Sequence, residues 1–500
     1  MKTKIPAEIE DIARILSDAG FEAHLVGGSL RDMLLGTAPK DWDIATNAHP
    51  EEVQKLFATY GGRTTEDPAT VYENSFGTVG IKTISEDDAL KIVEVTTYRI
   101  EGKYTDKRHP DDVQFAKTIE EDLSRRDFTV NAIAFNLSNR TLTKSHLVDP
   151  FGGMDDLQKK LLRTVGDANK RFEEDALRLM RAVRFASQLG FEIERATKHA
   201  VQENAGLLDM IAKERIRDEF SKLIMTPNAA MGIVAMEELG LLKFVIPELR
   251  EGIACGQNKH HIYTVFDHNV RALNYSVEKN YSLIVRLSSL LHDVGKPRTK
   301  GGDGPNSTFY NHEVVGARMT TKILDRLHFS KEIIEAVTHL VRCHLFYYNV
   351  GEVTEAGVRR FLSRVGPENV DDLLKVREAD RIGSGVPKAF PYKLRHLLFM
   401  IDKVKNDPIS PKMVKLNGNE LMELLNIPPS RKVGHILSIL LEDVIQDPEK
   451  NEKEKLMVRA RELNLLDEIE LAKLAERATE HKDEFEAGVE EEMKKKHKVQ

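Results

Sequence analysis

A strand-like segment, His24–Val26, runs into Gly27-Gly28-Ser29, then a helical stretch, Leu30–Leu35, and then Asp41-Trp42-Asp43, all within the run LVGGSLRDMLLGTAPKDWDIATN. No other feature restricts this chain as much. Ile44 and Ala45 prolong an apolar segment, so Asp41-Trp42-Asp43 reads as part of a strand. Alternate strand residues project to opposite faces, which puts both carboxylates on one side and Trp42 on the other. Two carboxylates on one face repel each other unless a divalent cation lies between them. Glycines at a strand-to-helix turn let backbone N–H groups approach a phosphate, whose charge the helix N-terminus favours. Taken singly, Gly-Gly is a turn and Asp-x-Asp a solvated strand end. Together, with Arg31-Asp32 at the helix start, they make the apparatus of metal-assisted nucleotidyl transfer.

Composition narrows the class. Five hundred residues, 41% of them hydrophobic, are enough for several cores and too many for one ordinary domain. The net charge of −7 means that a nucleic-acid partner has to be held by local basic patches. Cys255 and Cys343 are the only cysteines, which excludes a disulfide framework and fits a reducing compartment. The start, MKTKIPAEIEDIARIL, lacks the apolar core of a signal peptide, and no apolar run approaches a membrane span. The expectation is a cytoplasmic, soluble, multidomain chain with no membrane partner.

Up to about Pro150 strand-like and helix-like segments alternate. Strands are expected at Thr78–Thr83, Lys91–Thr97 and Val130–Asn136, which makes the head a mixed α/β domain. After Asp149-Pro150-Phe151-Gly152-Gly153 helical periodicity takes over, with helices expected at Asn169–Leu189 and Glu214–Met225. The stretch from about Asp467, ending near Lys494-Lys495-Lys496, reads as a solvated charged helix with a frayed end.

Three further groups carry chemistry. Glu94, in a strand ending at Arg99, is a candidate third carboxylate, to complete a metal shell or take a proton; a strand glutamate paired with an arginine is the ordinary alternative. In Asp122-Leu123-Ser124-Arg125-Arg126-Asp127-Phe128-Thr129-Val130-Asn131, two arginines open an apolar strand, which points to anionic partners. Arg171, Asp175 and Arg178 fall at i, i+4 and i+7, one stripe of a helix. The stripe reads either as a salt-bridge ladder or as a base reader. Cytosine and adenine both present an exocyclic amine beside a ring-nitrogen acceptor, so a carboxylate and a guanidinium side by side accept them and reject uracil and guanine. Farther on stand His268, Leu291-His292-Asp293-Val294-Gly295-Lys296-Pro297, His312, His339, His344 and Asp380. Imidazoles and carboxylates spread over consecutive helices can converge on a divalent metal, and an adjacent His-Asp pair can bridge two.

From Gly20 to about Phe220 these motifs, in this order, resemble the class II nucleotidyltransferases, the CCA-adding tRNA nucleotidyltransferases and bacterial poly(A) polymerases. The resemblance implies an α/β nucleotidyltransferase head with a mixed sheet, followed by all-α domains. It implies catalytic Asp41, Asp43 and Glu94, with Mg²⁺ on Asp41 and Asp43. It implies nucleotide binding by Gly27, Gly28, Ser29, Arg31, Asp32, Arg126, Asp127, Asn131 and Arg171. Asp175 and Arg178 would then read the base, and Glu174 would brace the arginine, as in the family's EDxxR motif. The His-Asp set resembles the HD phosphohydrolase superfamily, which implies His268, His292, Asp293 and Asp380 as core ligands of Mn²⁺, Ni²⁺ or Mg²⁺. His312 and His344 would support a second ion, with His339 an alternative to them.

The expected domains are a head at 1–150, a helical neck at 151–250, an HD domain at 251–400 and a helical tRNA-binding tail at 401–500. The implied reaction is addition of C, C and A to a tRNA 3′ end from CTP and ATP, with a separate phosphohydrolase activity and no DNA partner. Poly(A) synthesis is an alternative, but Gly61-Gly62-Arg63-Thr64-Thr65-Glu66-Asp67 is acidic where those enzymes carry a basic segment. A CC-only or A-only enzyme, and an HD hydrolase with an RNA-binding head, are the others.

Overall fold

The structure is a computed structural model, and it describes residues 5–63, 69–72, 77–101, 113–139, 142–257, 262–302, 304–386, 389, 391–407 and 409–478. The run Thr64–Asp67 and the lysines at 494–496 lie outside them. Two compact units are present, Met1–Pro247 and Glu248–Gln500.

The first unit begins with α1 (Ala7–Asp18), β1 (His24–Val26), α2 (Gly27–Leu34), β2 (Asp43–Thr46) and α3 (Pro50–Phe57). It continues with β3 (Thr70–Tyr72), β4 (Thr78–Lys82), β5 (Ile92–Thr97), β6 (Arg99–Glu101), β7 (Val113–Phe115), α4 (Ile119–Ser124), β8 (Ala134–Asn136) and β9 (Leu147–Val148). Seven strands form one sheet in the order β3-β4-β5-β2-β1-β8-β9. Only β2 and β5 run parallel within it; the other neighbours are antiparallel. Period-two alternation sets the faces: Val93, Val95 and Thr97 of β5 are buried, and Glu94 falls on the opposite face. Tyr98, Val26, Ala45, Leu123 and Ala134 pack as one apolar cluster, and the register puts Val26, Ala45 and Ala134 on the face that carries Asp43.

Helices follow: α5 (Gly153–Lys159), the strand pair β10 (Leu161–Leu162) and β11 (Glu192–Ile193) around α6 (Ala168–Glu174) and α7 (Leu177–Leu189), then α8 (Arg195–Asn204), α9 (Lys213–Ile224), α10 (Ala229–Glu238) and α11 (Leu242–Val245). α7 buries Leu177, Met180, Val183 and Phe185, and α9 packs against it.

The second unit is helical in its described residues: α12 (Pro247–Arg250), α13 (Val265–Glu278), α14 (Leu283–Leu291), α15 (Lys296–Thr299), α16 (His312–Arg326), α17 (Lys331–Cys343), α18 (Glu355–Val365), α19 (Val370–Gly383), α20 (Tyr392–Val404), α21 (Gly418–Leu425), α22 (Arg431–Gln446) and α23 (Lys453–Asn464). Side-chain caps fix several starts, Thr264 accepting from Asp267 N–H at 3.1 Å and Asn417 from Glu420 N–H at 3.0 Å. Residues from Val414 to Ala475 form an apolar core of their own.

Three expectations on local structure need correction. The strand carrying the carboxylate pair begins at Asp43, and Asp41 lies in the bend before it. The Arg125-Arg126 pair does not open a strand. Arg125 caps the C-terminus of α4, a 3₁₀ turn holds Thr129–Asn131, and β8 starts only at Ala134. The helix expected over Asn169–Leu189 is broken at Asp175, whose extended φ of −136° and ψ of 103° separate α6 from α7. There the carboxylate accepts from Leu177 N–H at 3.0 Å, a local bond that competes with the helical one.

Candidate active sites of the two units

In the first unit, parallel pairing sets Asp43 beside Glu94 on one face of the sheet. Gly27, at φ +71°, opens α2 directly in front of them. A Cβ there would stand 3.1 Å from Asp43 Oδ2 and 3.2 Å from Arg126 Nη1; one on Gly28 would stand 3.8 Å from Asp41 Oδ1. Glycine is thus favoured at position 27 by both its positive φ and the close approach, whereas a Cβ on Gly28 would make an ordinary contact. Ser29 Oγ donates to Val26 O at 2.8 Å, which fixes the turn. Burial, then Glu94 and Asp41, push the Asp43 carboxyl up to about 7, against the opposing pull of Arg126. Three acids crowded to that degree form a set of oxygen donors that suits a hard divalent cation.

Arginines line the same place. Arg31 is buried; its Nη1 donates to Asn131 Oδ1 at 2.7 Å and its Nε to Asp32 Oδ1 at 2.9 Å. Asn131 Nδ2 donates to Asp127 Oδ1 at 3.3 Å. Arg125 and Arg126 both pair with the buried Asp122, at 2.7 and 3.1 Å, and together they hold its carboxyl below the ordinary range despite its burial. Glu174 bridges Arg171 at 2.9 Å and Arg178 at 2.6 Å, and Arg171 and Arg178 both donate to the Arg125 carbonyl. Arg171, Glu174 and Arg178 therefore join the head residues, while Asp175 turns to a partner that the sequence reading missed, Arg215 of α9, at 2.9 Å. Arg181 was missed as well. It grips Asp127 at 2.6 Å, and although burial alone would raise that carboxyl, Arg181 brings it to about 2. Arginines at three-residue spacing on α7, 178, 181 and 184, were the available signal.

In the second unit, two buried triads adjoin: His268, His292 and Asp380, and Asp293, His312 and His344, with the ligand atoms of each group within 4.8 Å of one another. Nδ1 of His292, His312 and His344 faces the carbonyl of Ser289, Phe309 and Val341 at 2.8, 2.7 and 2.7 Å. Donation there leaves each Nε2 for the interior. Asp293 links the triads, its Oδ2 3.0 Å from His268 Nε2 and its Oδ1 3.3 Å from His312 Nε2. His339 turns the other way, with Nε2 2.6 Å from the Val365 carbonyl, so His344 is the one that joins the cluster. Burial alone would raise both carboxyls, but Lys296 and His292 hold Asp293, and Arg377 holds Asp380, well below the usual range. Burial would lower His292, yet Asp293 and Asp380 lift it to about 10. The donor set, imidazole nitrogen plus carboxylate oxygen in a buried pocket, fits one or two divalent ions.

Matches to known proteins fall in both units. Residues 23–163 match the "Poly A polymerase head domain", 190–253 the "Probable RNA and SrmB- binding site of polymerase A" and 265–383 the "HD domain". The A-adding tRNA nucleotidyltransferase of Deinococcus radiodurans is 36% identical over 84% of this chain and 91% of its own length. The CCA-adding enzyme of Geobacillus thermodenitrificans is 45% identical over 48% of this chain and 54% of its own length. The crystal structure of the Bacillus stearothermophilus CCA-adding enzyme in complex with CTP superposes with a TM-score of 0.68 at 28% identity, covering 92% of this chain and 98% of that one. A head of this type and an HD domain both imply dependence on divalent metal. No helix among the described residues is long and apolar enough to cross a membrane.

Proposed function

The chain belongs to the tRNA nucleotidyltransferase family, with an HD domain in its second unit, and from that premise we propose that it adds C, C and A to the 3′ end of tRNA in the cytoplasm, using CTP and ATP. The reaction is attack of the RNA 3′-hydroxyl on the nucleotide α-phosphate, with pyrophosphate leaving. Asp41 and Asp43 are the residues that would hold Mg²⁺, and Glu94 would complete the shell or take the proton. The ion, when bound, offsets the charge building on the transferred phosphoryl group. The backbone N–H groups at Gly27 and Gly28, with Arg126, would receive the phosphates, whose charge the α2 N-terminus would favour. Asp175 would accept from the exocyclic amine and Arg178 would donate to the neighbouring ring nitrogen, with Glu174 holding the guanidinium. The observation that carries this reading is the Asp43 carboxyl, raised to about 7 between Glu94 and Asp41 in front of a glycine-opened helix.

His268, His292, Asp293, His312, His344 and Asp380 would hold Mn²⁺, Ni²⁺ or Mg²⁺ for a separate phosphoester hydrolysis. A 2′,3′-cyclic phosphate is the first substrate to try, since it blocks the hydroxyl needed for extension. The tail from about residue 401 would grip the tRNA body by shape through scattered cationic side chains. A boundary near 150 would end the head, and one near 250 the neck. Addition of A alone is the second reading; it rests on the name of the relative matched along most of the chain. Labelled ATP, Mg²⁺ and a tRNA ending in CC test the last step: extension by one residue is expected, and no incorporation overturns the proposal.

A further inference from the structure

Asp175 has little freedom left. A carboxylate has roughly four lone-pair directions. Oδ1 accepts from Leu177 N–H at 3.0 Å and from Arg215 Nη1 at 3.3 Å, and Oδ2 accepts from Arg215 Nη2 at 2.9 Å. Three directions are therefore taken, and the one that remains belongs to Oδ2. Arg215 reaches across from α9, and its fork contacts both oxygens. Such a contact fixes the carboxylate plane, which a point charge on a flexible stem does not do.

α9 is itself held in place. One turn after Arg215, on the same face, Glu219 accepts from Arg184 at 2.5 Å and lies 3.8 Å from Arg181. Arg181 donates to Asp127 through Nε at 2.8 Å and Nη2 at 2.6 Å. Asp127 accepts from Asn131, and Asn131 in turn from Arg31 of α2. One polar chain thus joins the helix behind the Gly27-Gly28 turn to the break at Asp175, and α9 is its far anchor.

We propose that Arg215 is a positioning residue for nucleotide choice: it turns the Asp175 carboxylate so that Oδ2, through its remaining lone pair, accepts from the exocyclic amine of the incoming base. This rests on the reading of Asp175 as base acceptor. Without Arg215 the carboxylate keeps only the Leu177 N–H as restraint and can rotate away from the amine. Discrimination then weakens even though every group that would touch the nucleotide is still present. A plain tie between α7 and α9 would contribute stability alone.

The test is single-turnover addition of ATP and of GTP to a tRNA ending in CC by wild type, Arg215→Gln, Arg215→Lys, Asp175→Ala and the double variant Asp175→Ala/Arg215→Gln, with the melting temperature of each. Arg215→Gln is expected to lower the ATP-over-GTP preference about tenfold, and Arg215→Lys about threefold. The double variant should discriminate no worse than Asp175→Ala, because both changes act through one carboxylate. A wild-type preference in folded Arg215→Gln, with only the melting temperature lowered, overturns the inference. If Arg215→Gln does not fold, a wild-type preference in Arg215→Lys overturns it equally. An unchanged preference in Asp175→Ala overturns the base-acceptor reading itself, whereas loss there with Arg215→Gln unaffected overturns only the role of Arg215.

Discussion

Asp43 and Glu94 stand directly across from each other on the parallel strands β2 and β5, and the Glu94 charge makes ionisation of Asp43 harder. The sheet puts two acids where one carboxylate can be ionised cheaply and two cannot. That is the geometry a divalent cation relieves, and it gives the head a measurable dependence on pH.

With its carboxyl raised from 3.8 to about 7, Asp43 is protonated in the folded metal-free protein over a range where the unfolded chain has already lost that proton. The folded state binds more protons there, so stability falls as pH rises from about 4 to about 7. Thermal melting in EDTA from about pH 5 to about pH 8 should show that slope in the first unit. Mg²⁺ should restore stability most at the alkaline end, and Asp43→Asn should flatten the profile. A wild-type slope in Asp43→Asn would place the titration elsewhere.

The same variant separates chemistry from binding. Asp43→Asn is expected to abolish nucleotide addition while leaving tRNA affinity unchanged or slightly tighter, because a negative charge facing RNA phosphate is gone. Filter binding beside an extension assay reads both quantities. Near wild-type addition would remove Asp43 from the metal site.

Activity of the second unit should be separable from addition. A Cβ on Gly295 would stand 2.3 Å from the His312 carbonyl oxygen and 2.5 Å from Gly316 N, so Gly295→Ala must push α16, and His312 with it, away from Asp293. Loss of bound metal and of phosphoester hydrolysis is expected in Gly295→Ala and in His292→Ala, with addition retained in both. Metal content by mass spectrometry checks this, and full metal occupancy in His292→Ala would contradict the ligand set.

Glu219 and Arg184 are both buried, 2.5 Å apart. Glu219→Ala leaves the desolvated guanidinium without its carboxylate, with Gln188 Oε1 still accepting from it, which is expected to cost about 3 kcal/mol. Urea unfolding of the first unit reads that loss, and a change under about 0.5 kcal/mol would mean that water reaches Arg184.

What the sequence revealed follows the range of the interactions. Gly27-Gly28 and Asp43 were legible because the strand–turn–helix pattern is local, and so was the order His268, His292-Asp293, Asp380. The break at Asp175 was not, because helical spacing carries no sign that a carboxylate will bond the N–H two residues on. Arg125-Arg126 misled for a similar reason: the apolar run after them folds into a turn before its strand begins. Arg215 and Arg181 pair with acids 40 and 54 residues away, beyond the reach of any period. His339 and His344 could be separated only by the carbonyls that their ring nitrogens meet.

The head is proposed to synthesise CCA without a nucleic-acid template. The most direct measurement is to give the purified protein tRNAs lacking A, CA or CCA, with each NTP and Mg²⁺, and to sequence the 3′ ends. Completion of all three to CCA is expected, with no uptake of UTP or GTP and no extension beyond the terminal A. Extension of only the CC-ended tRNA would reduce the enzyme to A addition, and a long A tract on any of them would contradict the account.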